Sequence, residues 1–189
     1  MVDQERIKKA IREIIEAIGE DPDREGLIRT PERVAEMYAD IFSGTEEKAL
    51  EELSVGFQEP HSEMVLVRDI PFYSMCEHHF LPFFGKAHVG YIPKGKIVGL
   101  SKIARVVDIL SRKPQMQERL TSKVADLIEK ALEPQGVGIV LEAEHMCMVM
   151  RGVKKPGSFV VTSALRGVFR SRIETRSEFF SLVFSSRNR

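Results

Sequence analysis

Two short segments hold the residues best suited to chemistry. Ser74-Met75-Cys76-Glu77-His78-His79-Phe80 contains one of the two cysteines in the chain and two of its five histidines. Glu144-His145-Met146-Cys147 contains the other cysteine and a third histidine. Cys76 and His79, spaced i, i+3, can meet one ion from a single turn. With Cys147 they make three ligands of the kind zinc takes. Three protein ligands leave one tetrahedral position open, which is the catalytic rather than the structural arrangement. The alternative is a pair of reduced core thiols, or a disulfide, beside solvated histidines. His78 diverges from its neighbour His79 and so is left for proton transfer or a hydrogen bond. His145, two residues from Cys147, suits a general acid or base near neutral pH, or it simply packs.

Other residues could grip an anion or a base. Ser101 stands at an expected helix start, with Lys102 and Arg105 one turn apart. Helix amides and two cations would suit a phosphate, although a solvated helix face reads the same way. If one strand ran over 137–151, His145, Cys147, Val149 and Arg151 would share a face, placing a fixed cation beside the ligands. Gln117-Glu118-Arg119 reads by default as helix surface. Glu118 could instead accept two hydrogen bonds from a guanine edge.

The chain of 189 residues is long enough for one large domain with an extension. Lys+Arg and Asp+Glu both number 28, so there is no basic excess of the kind a bulk nucleic-acid binder carries. No apolar run approaches a membrane span, and the first residues lack a secretory pattern, so a soluble cytoplasmic protein is expected. Helical periodicity falls over 4–18, 30–41 and, weakly, 45–53. Strands are expected over 64–70, stopped by Pro71, then over 83–92, 97–100, 137–151 and 158–165. Helices are expected from Ser101, from Pro114 to Leu132, and behind a capping box at Thr175 and Glu178. This order implies an α+β fold: a helical region over 1–60, then an antiparallel four-stranded sheet over 61–189 with helices on one face.

Together these segments resemble the GTP cyclohydrolase I family. The resemblance rests on Glu20-Asp21-Pro22-Asp23-Arg24-Glu25-Gly26-Leu27, Thr30-Pro31-Glu32-Arg33-Val34-Ala35, Cys76-Glu77-His78-His79-Phe80, Tyr91-Ile92-Pro93 and Gly99-Leu100-Ser101-Lys102. It continues through Gln117-Glu118-Arg119-Leu120, His145-Met146-Cys147 with Arg151, and Thr175-Arg176-Ser177-Glu178-Phe179. It implies the T-fold, with sheets closing into a barrel across subunits of a toroidal homodecamer, two face-to-face pentamers. It implies zinc held by Cys76, His79 and Cys147. The reaction it implies is hydrolysis of GTP at guanine C8, giving formate and 7,8-dihydroneopterin triphosphate. His145 would protonate the purine nitrogen, and His78 and Ser101 would assist later steps on the ribose. Glu118, helped by Gln117, would read guanine. Lys102, Arg105, Arg151 and a neighbouring subunit's Arg33 would hold the triphosphate. Two rivals remain: a related T-fold nitrile reductase with a cysteine nucleophile and no metal, and a binding protein whose zinc is structural.

Overall fold

A computed structural model of the protein describes residues 2–185. They divide into two compact units, one through Ser43 and one from Gly44 onward. In the first, α1 (Gln4–Ala17) packs on α2 (Thr30–Ile41). The Asp3 carboxylate caps α1 by accepting from the Arg6 amide. Pro31 lies in the first turn of α2, where a missing N–H costs nothing.

The second unit runs α3 (Glu46–Ser54), β1 (Gly56–Gln58), β2 (Val65–Cys76), β3 (Pro82–Ile92), β4 (Lys96–Val98), α4 (Leu100–Ser111), β5 (Pro114–Gln115) and α5 (Gln117–Leu132). It continues with β6 (Gly136–His145), α6 (Met146–Val149), β7 (Phe159–Gly167), α7 (Val168–Ser171) and α8 (Ile173–Phe184). The main sheet has the order β5-β2-β3-β6-β7. Strands β2, β3, β6 and β7 are the antiparallel four that the pattern implies. The two residues of β5, read from the sequence as a helix start, add a fifth strand parallel to the end of β2. Among the described residues no helix is long and apolar enough to cross a membrane.

Helices cover one face of the sheet and, beyond the expected arrangement, one end of the other. Phe83, Ala87, Val89 and Tyr91 of β3 and Val137, Ile139, Leu141 and Ala143 of β6 bury themselves with apolar residues of α4 and α5. On the other face, Val140 packs with Phe169, Phe179 and Val183 of α7 and α8. That packing lies at the end of the sheet where Gly90 pairs with Gly138. A Cβ on Gly138 would come within 2.6 Å of the Phe169 ring, and one on Gly90 within 2.9 Å of Phe179. The glycine pair makes room for the two rings. Thr175 and Glu178 lie inside α8, whose N-cap position is Arg172, so they form no capping box.

Strand β2 does not stop at Pro71. Among the described residues its outer edge is unpaired there, since β5 joins only at Met75 and Cys76, and an edge tolerates a proline. Before that point the register slips. Val67 pairs with Val89 and Ile70 with Ala87, so three steps on β2 match two on β3. The extra residue falls at Asp69, whose φ is 62°. A one-residue slip exchanges the faces of everything beyond it. Val65 and Val67 face the core before the bulge; Ile70, Phe72 and Cys76 do so after it. The bulge is therefore what aims Cys76 at the side covered by α4 and α5.

The Asp69 amide donates to His88 Nδ1 at 3.2 Å. His88 therefore carries its proton on Nε2, a buried nitrogen with no partner among the described residues. Burial holds this imidazole below the ordinary histidine value of 6.5. Folded His88 stays neutral while the unfolded chain takes up a proton below that value, so folding loses stability as pH falls through about 6.5. Chemical denaturation across pH 7 to 5 should show this loss. It should shrink by up to one proton's slope in His88→Asn, whose side-chain oxygen can replace the Nδ1 acceptor.

Candidate metal centre

Strand β2 ends in a tight reversal. The Cys76 amide donates to Leu81 O at 2.9 Å, and the Phe80 amide donates back to Cys76 O at 2.9 Å. That single helical turn sets His79 above Cys76, with Nδ1 3.7 Å from Sγ. Cys147 completes the group, and the three donor atoms lie within 4.8 Å of one another. Ligands about 2.0–2.3 Å from one tetrahedral ion stand about 3.5–3.8 Å apart, so two sulfurs and an imidazole nitrogen at this spacing fit a soft or borderline divalent metal. Burial, with Cys76 beside it, pushes the Cys147 thiol up. Taking up a metal must therefore release protons.

Cys147 does not arrive on a strand. Beyond His145 the ladder on both sides of β6 gives out, since its last pairs are Phe83 with His145 and Phe159 with Glu144. Residues Met146–Val149 turn into α6 instead. His145, Cys147 and Arg151 therefore share no strand face, although Arg151 is close enough for its charge to act on the Cys147 thiol.

His145 is fixed on two sides. Its ring stacks on Phe83, with centroids 4.6 Å apart and planes 2° from parallel. Its Nε2 lies 2.7 Å from Oε1 of Gln117. The Gln117 amide nitrogen donates to Val160 O at 2.9 Å and to Leu141 O at 3.1 Å. Those carbonyls only accept, so the amide cannot be turned round and its oxygen must face His145. His145 thus carries a proton on Nε2, leaving Nδ1 to take up or deliver another. Burial pushes the imidazole down in pKa, while the nearby Glu118 carboxylate pulls it up.

The first turn of α5 supplies more than this. Gln117, expected to help hold a ligand, is instead 1 % exposed with both ends of its amide engaged inside the protein. Its tie to His145 has no local signal in the sequence, because Leu141, Val160 and Thr162 are remote along the chain. Glu118 is exposed, with its charge acting on His145. Arg119 forms a two-pronged pair with Glu77 of the metal loop and holds that carboxyl low. His78 is exposed beside Glu77, its Nε2 3.8 Å from the carboxylate.

The remaining candidates lie on α4 and α2. Ser101 is exposed in the first turn of α4, whose N-cap position is Gly99, so Ser101 is not the cap. Lys102 and Arg105, on the same helix, both contact Glu52 of α3. Arg33 is exposed on α2 in the first unit.

The mixed sheet and the Cys-His-Cys group, with a half-buried imidazole two residues from Cys147, define an α+β protein equipped to hold a metal next to a proton-carrying group. The sequence model of the GTP cyclohydrolase I family matches residues 7–184, and the chain belongs to that family. It is 61% identical to GTP cyclohydrolase 1 of Caldanaerobacter subterraneus subsp. tengcongensis, over 99% of this chain and 100% of that protein. It is 62% identical to GTP cyclohydrolase 1 of Clostridioides difficile, over 96% of this chain and 97% of that protein. Among solved structures, the apo form of an archaeosine synthase QueF-Like aligns with a TM-score of 0.43 at 19% identity, covering 58% of this chain and 97% of that one. So slight a likeness carries no argument.

Replacing Gln117 by Leu would strand the Nε2–H of His145 and remove the amide's hydrogen bonds to Leu141 O and Val160 O. Each buried group left unpaired costs about 1–3 kcal/mol, so Gln117→Leu should lose at least that much stability in guanidinium unfolding. Metal uptake should persist, because Cys76, His79 and Cys147 are untouched.

Proposed function

We propose that this chain is a zinc-dependent GTP cyclohydrolase I. It would hydrolyse GTP at guanine C8, releasing formate and leaving 7,8-dihydroneopterin triphosphate, an early step in making folate-type pterins. The observation that carries this is the convergence of Cys76, His79 and Cys147 beside a hydrogen-bonded His145, in a chain of this family. Cys76, His79 and Cys147 would hold the zinc. When bound, zinc supplies Lewis acidity that makes water nucleophilic near neutral pH. A cysteine nucleophile, as in the nitrile-reductase reading, needs one free thiolate, whereas both cysteines here converge on one point with His79.

The chain's own residues then divide the work. His145 would pass a proton through Nδ1 to the purine nitrogen beside C8. Gln117 would act through His145, holding its ring and tautomer. Glu118 would accept from the guanine N–H and amino group. His78 and Ser101 would assist proton transfers on the ribose. Lys102, Arg105 and Arg151 would hold the triphosphate, with Arg33 of a neighbouring subunit. The catalytic domain would span 61–189 behind a helical region over 1–60, in a cytoplasmic enzyme.

The edges of the sheet support a reading of its assembly. Strand β7 is an edge with Phe159 and Val161 63% and 54% exposed, and β2, the other long edge, exposes Tyr73 at 72%. Edges with apolar side chains need cover. We propose that they close between subunits into the T-fold barrel of a toroidal homodecamer.

Two measurements test this reading. Incubation with GTP should release formate and form a product that fluoresces as a pterin after oxidation, with both lost on chelation and restored by zinc. His145→Ala should keep its zinc yet slow single-turnover formate release by about 10²–10⁴. Loss of zinc in that variant would make His145 a ligand or a prop, and formate release at the parent rate would remove its proton role. Light scattering should separately report a ring of ten subunits, and an active monomer would contradict the shared-site assembly.

A further inference from the structure

The cations assigned above to the triphosphate are already facing an anion. Glu52 Oε2 lies 2.6 Å from Lys102 Nζ and 3.4 Å from Arg105 Nη1. Lys102 and Glu52 are about three-quarters buried, at 26% and 24% side-chain exposure. The hydrogen bond from Lys102, reinforced by the two charges, holds the Glu52 carboxyl low. Lys102 stands in the first turn of α4, a turn with no acidic residue. A cation at a helix N-terminus opposes the helix dipole, so this spot calls for an anion from outside the helix.

Glu52 is not needed to anchor α3. Ala49 and Leu53 of that helix are fully buried in the core. Thr45 caps its start, and Glu46 pairs with Lys123 and Lys113. What Glu52 adds is a charge on the two cations.

We propose that Glu52 is a built-in competitor for the triphosphate-binding cations, which a substrate must displace and which returns as product leaves. The proposal rests on Lys102 and Arg105 forming that grip. A triphosphate brings several negative charges to the place where Glu52 brings one. It can take both cations, but the displaced carboxylate then stands beside a like charge and weakens the complex. This opposition has a use. The triphosphate is unchanged by ring opening, so contacts to it hold substrate and product alike. Such uniform binding lowers KM without speeding the chemical step. A returning carboxylate trims that grip and helps product depart.

The test uses the zinc-loaded protein and two probes, GTP and inorganic tripolyphosphate. Glu52→Gln keeps the shape and removes the charge. Its KM for GTP and its tripolyphosphate Kd, by calorimetry, should both fall about twofold to fivefold, the scale of one partly exposed charge pair. The change in kcat should stay within twofold. Glu52→Asp, which withdraws the charge by one methylene, should tighten binding by a smaller factor and serves if Gln disturbs α3. Unchanged or weaker tripolyphosphate binding in well-folded Glu52→Gln would overturn the proposal, because a carboxylate that only positions Lys102 would give that result. Lys102→Ala separates the two readings. If it weakens tripolyphosphate binding while Glu52→Gln fails to tighten it, only the competitor role falls. If it leaves binding unchanged, the triphosphate grip itself is misplaced, and the proposal falls with it.

Discussion

The amide of Gln117 joins the helix layer, the sheet and the candidate site at one point. Its nitrogen reaches carbonyls on β6 and β7, and its oxygen reaches His145. Thr121, one turn along α5, donates to the Gln117 carbonyl and meets Thr162 on β7. A buried polar network of this kind is stabilising only while every member is paired. The same requirement that keeps the fold together also orients an imidazole that a reaction could use. Neither the helix nor the strands can shift far without losing that orientation.

The start of α5 does this in three directions. Successive residues on a helix point about 100° apart. Gln117 therefore points into the protein, while Glu118 stands exposed with its charge acting on His145, and Arg119 reaches across to Glu77. The two-residue strand β5 fixes where this turn begins, by pairing Pro114 with Met75 and Gln115 with Cys76. Metal loop and helix start are thus registered to each other through backbone bonds before any side chain is counted.

Much of this was legible in the sequence, for particular reasons. The metal donors were readable because ligand chemistry restricts both residue type and spacing, and Cys76 with His79 satisfies both. The long helices were readable because Ile7, Ile11, Ile14 and Val124, Leu127, Ile128 repeat with the helical period. The run from His145 to Arg151 is ambiguous because alternating apolar residues over so short a stretch fit a strand or a turn equally. What ends β6 is the ending of its pairing on both sides, a tertiary fact. Strand β5 is too short to leave any period. The second helix layer went unseen because Gly90 and Gly138 look like weak strand positions until Phe169 and Phe179 are set against them. Glu52 carries no signal in the sequence, since its partners lie some fifty residues ahead on another helix.

The bulge at Asp69 makes chain length over the rest of β2 matter more than the identity of the residues there. From Ile70 to Cys76 each residue's face is set by counting from that one irregularity. Exchanging one apolar side chain for another alters a single contact. Removing one residue anywhere in that interval, or adding one, would turn Cys76 to the opposite side of the sheet from Phe83 and His145. Homologous chains that keep the cysteine should therefore vary in composition over this stretch while holding its length, and length changes should gather before Val65 or beyond the strand. A designer grafting this loop onto another sheet would have to carry the irregularity with it, since the cysteine's direction is stored seven residues upstream of the cysteine itself.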